Sequence, residues 1–527
     1  MPCLAAKEDV VGEGMKMFIR KIPAVSLAIF LLSVLPNSGP VTNYSGSGTP
    51  EDPYLIYTAS DLNQIGLNVT DWDKNFKLMA DINLAAYTGT QFNRIGTDDR
   101  HAFSGVFNGN GHKISNFTYT APGSSYIGIF GHISTSGKVE KLILVRVNVT
   151  GSEFVGGLVG YNEGTISDSS VAGTVSGYSE VGGLTGYNFT GTISNCSSTG
   201  AVTGGDSSGY LGGLVGYSNG VISDCFSRGT TTGGVSSNYL GGLVGYSDGN
   251  ISNCRSKGAV TGGNTSNYLG GLAGVSNGTI SSSFSTAAVS GGNGAYYLGG
   301  LAGYNGSSVS ACWAGGTVSG GDSRDSVGGL VGENGPLGVV TNCYATGEVS
   351  AYQDVGGLVG WNDHGAITKC YSSGRVSGSA YAGGLLGWNY SGTISNSFWD
   401  VNSSGLSWSA GGTGKSTAEM KTQSTFTSAG WDFVLEIANG TEDIWTICEG
   451  ANYPKLVWQS MNGDSDNDGD VDFADFALMG LKWRQTDAYP YCNRADFTGN
   501  GLVNLDDLVV LVDNWLHNLG PLNSSSR

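Results

Sequence analysis

The sequence carries little charge, and its positive charges are especially few. Only 13% of the 527 residues are charged, and 25 Lys and Arg stand against 43 Asp and Glu, for a net charge of −18. Neutralising a phosphate backbone needs clustered cations, and no Lys/Arg cluster occurs outside the extreme N-terminus. This composition argues against nucleic acid as a partner.

Histidine is scarce, and the motifs of nucleophilic catalysis are missing. The five histidines are His101, His112, His132, His364 and His517. None lies near a G-x-S-x-G motif, and "SAGGTGKST" has Ser409 where a phosphate-binding loop needs its first Gly. A glycosidase or lyase needs paired carboxylates that face a groove, and the sequence shows no such pair. We therefore predict no catalytic residues.

A short apolar run near the N-terminus is typical of an export signal. It extends from Ile22 to Leu35, after Lys16, Arg20 and Lys21, and small and turn residues follow it. The run is shorter than the ~20 residues of a membrane-spanning helix, which leaves a membrane anchor as the weaker alternative. We expect residues 1–39 to be an N-terminal extension and signal peptide of a secreted, extracellular or cell-surface protein.

Proline is rare, with 11 residues, whereas glycine is abundant, with 88. Abundant glycine can indicate a disordered linker. However, 39% of the residues are hydrophobic and 10% are aromatic, which provides apolar surface to bury. We therefore expect a folded chain of several modules.

From about residue 127 the sequence repeats itself. The core GGL[VTAL]G begins at Gly156, Gly182, Gly212, Gly241, Gly270, Gly299, Gly328, Gly356 and Gly383. One such unit cannot bury its own apolar face, so nine copies indicate a solenoid. Short β-rich segments without helical periodicity indicate one coil of a parallel β-helix per unit. A propeller is the alternative, but its blades need four strands and usually ~40 residues or more.

Aligned units place identical side chains in columns. One column holds Leu158, Leu184, Leu214, Leu243, Leu272, Leu301, Leu330, Leu358 and Leu385, and another holds Ile166, Ile193, Ile222, Ile251, Ile280 and Ile394. We predict that both columns point inward. A third column holds Cys196, Cys225, Cys254, Cys312, Cys343 and Cys370. Strand spacing exceeds the ~3.8 Å Cβ separation of a disulfide, which favours buried free thiols over disulfides or a metal site.

The units also share an aromatic position. It is occupied by Tyr161, Tyr187, Tyr217, Tyr246, Tyr304, Trp361 and Trp388. Pointing inward, these rings would form core, which we favour; pointing outward, they would stack on sugar rings. Another position holds Asp168 and Asp224, but Asn, Ser, Ala or Lys in other units, which indicates an outward turn.

The repeated phrase "GGLVGYN…GTISNCYS" resembles the GLUG repeats of secreted bacterial proteins. The resemblance covers residues 127–400 and implies a β-solenoid of extracellular type, without catalytic residues. The ends of a solenoid need covers, because open terminal strands template aggregation. We expect an N-terminal cap over residues 40–126 with a short helix after Ser60, and a C-terminal cap over 401–460. In the second cap, Ser416 and Glu419 have capping-box spacing, and we expect Cys448 to be buried.

Two acidic loops near the C-terminus have the spacing of calcium ligands. In "GDSDNDGDVDFAD", loop positions 1, 3, 5, 7, 9 and 12 are Asp464, Asp466, Asp468, Asp470, Asp472 and Asp475. In the second loop the same positions are Asp496, Thr498, Asn500, Leu502, Asn504 and Asp507. Position 7 contributes its backbone carbonyl. An amphipathic helix pattern follows each loop, so we predict two Ca²⁺ ions and no other cofactor.

Two such loops, each with only the exiting helix and with Asp at position 12, resemble a type I dockerin over residues 461–520, before a tail at 521–527. The resemblance implies calcium-dependent folding and docking onto a cohesin module, as in assemblies that degrade plant polysaccharide. Dockerins often carry Ser or Thr at loop positions 10 and 11. This chain has Phe473 and Ala474, then Leu505 and Asp506, so the partner's identity does not carry over.

The expected fold is mainly β: a capped right-handed parallel β-helix followed by a small all-α dockerin-like domain. We expect a secreted, non-catalytic rod for adhesion or ligand display, anchored to a cohesin-like partner by the calcium module. The alternatives are a polysaccharide hydrolase or lyase, and a carbohydrate-binding protein, carried by the same module in polysaccharide catabolism.

Overall fold

The computed structural model describes residues 44–322, 326–460, 463, 471, 473–485, 495–498 and 502–518. Contacts divide the chain between Asn43 and Tyr44, and the unit that begins at Tyr44 contains all described residues. The predicted signal peptide and the tail at 521–527 lie outside them. Among the described helices, none is long and apolar enough to cross a membrane.

Three parallel sheets run along a solenoid, which confirms the predicted β-helix architecture. The first sheet comprises Tyr54–Ile56, Asn75–Leu78, Val106–Asn108, Lys138–Glu140, Thr165–Ser167, Thr192–Ser194, Val221–Ser223, Ile251–Ser252, Ile280–Ser281, Ser308–Ser310, Val339–Thr341, Ala366–Thr368 and Thr393–Ser395. The second sheet comprises Phe130–Ile133, Val159–Asn162, Thr185–Asn188, Val215–Ser218, Val244–Ser247, Ala273–Ser276, Ala302–Asn305, Val331–Asn334, Val359–Asp363 and Leu386–Tyr390.

The third sheet contains the remaining parallel strands. Its strands are Ile82–Asn83, Lys113–Ser115, Thr118–Thr120, Ile143–Thr150, Glu153–Gly156, Ser170–Gly182, Ser197–Gly212, Phe226–Ser227, Thr230–Thr232, Asn238–Gly241, Arg255–Ser256, Ala259–Gly262, Asn267–Gly270, Phe284–Ser285, Ala288–Gly291, Tyr296–Gly299, Trp313–Ala314, Val318–Ser319, Val327–Gly328, Tyr344–Ala345, Val349–Gly356, Tyr371–Ser372, Val376–Gly383, Phe398–Asp400 and Thr413–Lys415. Each strand pairs with the equivalent strand one repeat later, so the sequence period sets the register.

The predicted inward columns form the core of the rod. All nine leucines are fully buried, and so are the isoleucines from Ile166 to Ile280. Ile394, in the last strand of the first sheet, is only partly buried. Full burial of one such side chain contributes about 1.5–3 kcal/mol, so the stacked columns are the main source of stability. A Cβ at Gly156 would meet the carbonyl oxygens of Val159 and Leu184, which explains the glycine at this repeat position.

Buried asparagines form a hydrogen-bonded ladder that the sequence analysis did not predict. Asn162 Nδ2 donates to Asn188 Oδ1 at 2.8 Å, and Asn334 Nδ2 donates to Asn362 Oδ1 at 2.8 Å. Asn305 donates in turn to Asn334 Oδ1 at 2.8 Å. Buried amides need such partners, and one coil supplies them to the next.

The flanking segments extend the rod at its start and cover it near its end. The predicted short helix is present as Ala59–Leu67, and its N-cap is Thr58, which forms a capping box with Asp61. The helix therefore starts two residues before the start predicted after Ser60. The helices Val401–Ser404, Thr417–Met420, Gln423–Thr427 and Val457–Ser460 follow the rod, with Ser416 and Glu419 forming the predicted capping box. The antiparallel pair Trp445–Thr446 and Lys455–Leu456 completes this segment.

Residues 401–460, called the C-terminal segment, pack along the side of the rod as well as over its end. The rings of Trp313, Tyr344 and Tyr371 stack in successive coils at 5.8 and 5.0 Å. Trp445 lies against the last two rings, and Tyr371 donates from its hydroxyl to the carbonyl of Pro454 at 2.7 Å. Further along the chain, two helices span Phe473–Lys482 and Leu505–Asn518.

Candidate functional site

The second acidic loop brings three of its predicted ligand positions together. Thr498 Oγ1 lies 2.9 Å from Asp507 Oδ1 and 3.4 Å from Asp496 Oδ1. The backbone N–H groups of Thr498 and Asn504 donate to the two carboxylate oxygens of Asp507, at 2.8 and 2.9 Å. Asp496 and Asp507 are buried, while Leu502 is 37% exposed. The Asp507 carboxylate thus ties both ends of the loop to the first turn of the following helix.

Most of the first acidic loop cannot be compared with its prediction. Asp475 is fully buried in the first turn of the helix Phe473–Lys482. The other predicted ligands lie outside the described residues: Asp464, Asp466, Asp468, Asp470 and Asp472, together with Asn500 of the second loop.

The described loop residues have the chemistry that a hard cation requires. Carboxylate and hydroxyl oxygens are the ligands that Ca²⁺ prefers, and here they come from positions 1, 3 and 12 of one loop. Among the residues that the structure describes, no three His, Cys, Asp or Glu side chains gather into a metal-binding group. The oxygen donors at positions 1, 3 and 12 fit calcium by their chemistry alone, and the two Ca²⁺ ions stay a prediction.

The two C-terminal helices expose large apolar side chains. Phe473 and Leu505, which occupy loop position 10 in the two halves, are 77% and 67% exposed. Leu481 and Val509 are exposed as well. The opposite side of the helices packs Met479 and Leu511 into a small core. These exposed residues define a surface that we call the helix face.

Two adjacent columns of aromatic side chains run along the rod, and together they are called the aromatic stripe. The first column, in the second sheet, is His132, Tyr161, Tyr187, Tyr217, Tyr246, Val275, Tyr304, Glu333, Trp361 and Trp388. The second column is Tyr126, Phe154, Glu180, Tyr210, Tyr239, Tyr268, Tyr297, Ser326, Asp354 and Tyr381, each one residue before a paired strand position. Most of these rings are half-buried. The first column therefore matches neither of the two predicted alternatives, inward core rings or fully outward rings.

Rings in the middle of the stripe cover one another's faces. Tyr210 and Tyr239 stack at 4.8 Å with an interplanar angle of 13°, and Tyr239 and Tyr268 stack at 5.2 Å. Tyr217 and Tyr246 stack at 4.9 Å. The Tyr217 hydroxyl donates to Asp248 at 2.7 Å. Burial raises the pKa of the phenols of Tyr210, Tyr217, Tyr246 and Tyr268, so they stay neutral at pH 7.

One coil interrupts both columns at once. It carries Ser326 and Glu333 where the preceding coil has Tyr297 and Tyr304. Glu333 is only 9% exposed. Burial raises the pKa of Glu333 to about 7, and the neighbouring negative charge of Asp363 adds to the effect. This coil replaces aromatic rings with a carboxyl group that titrates near neutrality.

The C-terminal end of the stripe exposes its rings most. Tyr381 and Trp388 are 50% and 39% exposed, with their rings in edge contact at 4.8 Å. Tyr390 is 54% exposed and contacts the His364 ring at 4.9 Å. Asp363 and His364 Nδ1 lie 2.7 Å apart. Leu386–Tyr390 is the last described strand of its sheet, so no further strand of that sheet stacks on these rings.

The cysteine column and the polar turn column have structural roles. The six cysteines of the column are buried and free, as predicted. The Cys225 thiol donates to the Ser223 carbonyl at 3.0 Å, and burial raises the pKa of Cys225 well above its usual range. Cys448, predicted to be buried, is half-buried and disulfide-bonded. Asp168 and Asp224 lie at left-handed turn positions, with φ of 50° and 54°, which confirms the outward turn.

The sequence analysis missed the second aromatic column and the carboxyl group in the first. A signal was available for the column, because Tyr210, Tyr239, Tyr268 and Tyr297 each stand directly before a Leu-Gly pair. Nothing in the sequence indicates that Glu333 is buried, because a single Glu in a tyrosine column is usually solvated.

The fold and its repeats define the class of protein: a parallel β-solenoid that contains GLUG repeats. The family model described as "The GLUG motif" matches residues 151–176, 177–203, 236–261, 324–350 and 351–377. These five segments lie within the range in which the sequence resembles GLUG repeats.

Two curated relatives match a quarter of the chain each. Halomucin of Haloquadratum walsbyi is 38% identical over 135 residues, which are 25% of this chain and 2% of that protein. A protein of Evansella cellulosilytica described as a Gly-rich membrane protein is 39% identical over 132 residues, 24% of this chain and 15% of that protein. The match thus spans a small part of either relative.

A solved structure also aligns with the chain. It is the crystal structure of a protein from Bacteroides ovatus described as an immunoglobulin A1 protease. It has 20% sequence identity and a TM-score of 0.35, and the alignment covers 78% of this chain and 94% of that chain.

Proposed function

We propose that the protein is an extracellular or cell-surface rod for adhesion or ligand display, without catalytic activity of its own. The observation that carries this proposal is the regular parallel solenoid, whose repeated inner columns build a long, stiff surface. The rod is proposed to be a right-handed β-helix with capped ends. Halomucin and the Gly-rich membrane protein, by their names, support a position at the cell surface.

The C-terminal residues are proposed to form a calcium-dependent module with two Ca²⁺ ions. The convergence of Asp496, Thr498 and Asp507 supports this proposal. Without a cation, the buried carboxylates of such a loop repel one another. Calcium would therefore stabilise the fold of the module and fix the orientation of its two helices.

The helix face is proposed to dock onto a cohesin-like protein. Its largest exposed side chains, Phe473 and Leu505, stand at the equivalent position of the two loops. Buried aromatic and aliphatic anchors at the centre of an interface carry most of its binding energy. An apolar pair at these positions supports a partner with an apolar docking surface.

Calcium binding by the full chain tests the module. We expect calcium to raise the unfolding temperature of the C-terminal module, and we expect Asp507→Asn to weaken calcium binding at least tenfold in calorimetry. The matched control is Asp506→Asn, because Asp506 is exposed and next to the ligand position. Equal calcium affinity of both variants would show that Asp507 is not a ligand.

Docking is tested with the full chain and a panel of recombinant cohesin modules, with calcium and with chelator. We expect calcium-dependent capture, and we expect Leu505→Asp to abolish it while calcium binding stays unchanged. Capture that is unaffected by Leu505→Asp would place the contact elsewhere, and the absence of any calcium-dependent capture would refute the cohesin-like partner.

The alternative is a polysaccharide hydrolase or lyase delivered by the same module. Glu333 and Asp363 favour it, because they place two acids on neighbouring strands of the aromatic stripe. Release of reducing ends or unsaturated sugars from a polysaccharide panel, lost in Glu333→Gln, would support this alternative over the non-catalytic rod.

A further inference from the structure

The aromatic rings at the C-terminal end of the stripe are packed differently from those in its middle. In the middle, stacked tyrosines cover each other's faces. At the end, Trp388 is in contact with Tyr381 edge to face, and both are more than a third exposed. An aromatic face left open to water is a favourable surface for an apolar or amphipathic ligand.

Polar groups that accept hydrogen bonds stand beside these open rings. In the parallel strand pair, Asp363 lies opposite Tyr390 and Trp361 lies opposite Trp388. The Asp363 side chain is 25% exposed and holds the His364 ring through Nδ1. Exposed rings with a carboxylate beside them suit a ligand with apolar C–H faces and hydroxyl donors at its edges, which is the chemistry of a sugar ring.

Charge narrows the class of ligand. Asp354 and Asp363 lie in the coils at this end, and the chain has a net charge of −18. A glycan that carries carboxylates or sulfates would be repelled.

We propose that Tyr381, Trp388 and Tyr390, with Asp363, bind a polysaccharide without anionic groups. The three rings lie in one coil and pack against the C–H faces of the sugars, and Asp363 of the preceding coil accepts hydrogen bonds from the sugar hydroxyls. This proposal rests on the proposed function of the rod, for which it names the class of ligand.

The test uses the full chain in the presence of chelator, which removes any contribution of the calcium module. Affinity electrophoresis compares hydroxyethyl cellulose, xylan and polygalacturonate. We expect binding to a neutral polysaccharide, and a loss of at least tenfold in Trp388→Ala/Tyr390→Ala. Tyr57→Ala is the matched control, because its ring is 48% exposed at the other end of the rod. Asp363→Asn is a second variant that leaves the rings in place, and we expect it to weaken binding.

Circular dichroism and thermal unfolding establish that each variant is folded before binding is compared. Equal affinity of wild type and double variant, binding of polygalacturonate in preference, or no binding to any neutral polysaccharide would overturn the proposal. Binding of a proline-rich peptide instead would assign the rings to a peptide. Asp507→Asn should leave polysaccharide binding unchanged, so failure of the anchoring proposal is distinguishable from failure of this one.

Discussion

Glu333 is the residue at which the aromatic stripe changes its chemistry. Tyr268, Tyr297 and Tyr304 face it from the preceding coils, and Asp363 faces it from the next coil. The pKa of Glu333 is raised from 4.5 to about 7 mainly by burial, with a smaller contribution from the charge of Asp363, while a hydrogen bond with Tyr297 opposes the rise. The native state therefore holds this carboxyl group protonated at mildly acidic pH.

The titration of Glu333 predicts a pH-dependent stability. Because the pKa of Glu333 is raised in the folded state, the contribution of this residue to stability is fully present below pH 4.5. It is lost as the pH rises through about 7, and the loss amounts to about 3 kcal/mol at most. Glu333→Gln should remove this slope and unfold at a higher temperature than wild type at pH 8. Glu348→Gln, at an exposed position, is the control. Parallel pH profiles of wild type and Glu333→Gln would contradict the prediction.

The cysteine column predicts unreactive thiols. Burial and the neighbouring thiols raise the pKa of Cys225 and Cys343, and the thiolate is the reactive form. We expect no alkylation of the six column cysteines by iodoacetamide at pH 8 in the folded protein, and complete alkylation in denaturant, as measured by peptide mass mapping. Modification of Cys225 in the folded chain would show that the column opens.

At the scale of elements, the coils are joined by the buried asparagine ladder as well as by strand pairing. Asn334 donates to Gly338 O and Asn362 Oδ1, and it accepts from Asn305 Nδ2. Some coils use serine at this position, as Ser218 and Ser247 do, and Ser247 donates to Gly249 O at 3.0 Å. The ladder therefore tolerates a shorter polar side chain, and it begins at Asn162, because the preceding coil has Ile133 at this position.

Replacement of Asn334 should show whether hydrogen bonding or side-chain volume determines stability at this ladder position. Asn334→Leu leaves buried groups of two neighbouring coils unpaired, and each such group costs about 1–3 kcal/mol. We expect a large drop in unfolding temperature for Asn334→Leu and a smaller one for Asn334→Ser. Equal stability of the two variants would show that volume, rather than hydrogen bonding, governs this position.

At the scale of the whole molecule, the C-terminal segment stabilises the rod through its side. Trp445 is fully buried against Tyr344 and Tyr371, with Trp431 at 4.6 Å. The hydroxyl of Tyr344 donates to Gln459 at 2.9 Å. This contact shields an aromatic ladder of the third sheet from water and forms a second hydrophobic core between the rod and the segment, separate from the core inside the rod.

Loss of Trp445 should uncouple the segment from the rod. Trp445→Ala should cost about 3–5 kcal/mol, because a large ring is removed from a filled site. Limited proteolysis should then cleave within residues 401–460 while the repeats stay resistant. Trp408→Ala, at a ring that is 50% exposed, should have little effect. Simultaneous cleavage of the repeats would indicate that rod and segment unfold as one unit.

Several features could be predicted because they repeat. The leucine and isoleucine columns, the free thiols and the outward turns each recur at the same place in many units, and stacking requires equivalent residues to meet. The second aromatic column also recurs, but its tyrosines stand in a left-handed conformation, as Tyr239 does with φ of 62°. Sequence patterns favour Gly, Asn or Asp there, which explains why it was missed.

The sequence by itself determined the solenoid, its period and its inward columns, because a strict repeat allows a unit to bury its apolar face only against its neighbours. It also determined the oxygen-rich spacing of the two acidic loops. Only the tertiary structure decided how far each ring is exposed, that Glu333 is buried beside Asp363, and that Trp445 packs on the rod's side. These properties depend on which distant residues become neighbours, and burial, pKa and access to a ligand arise from those neighbours.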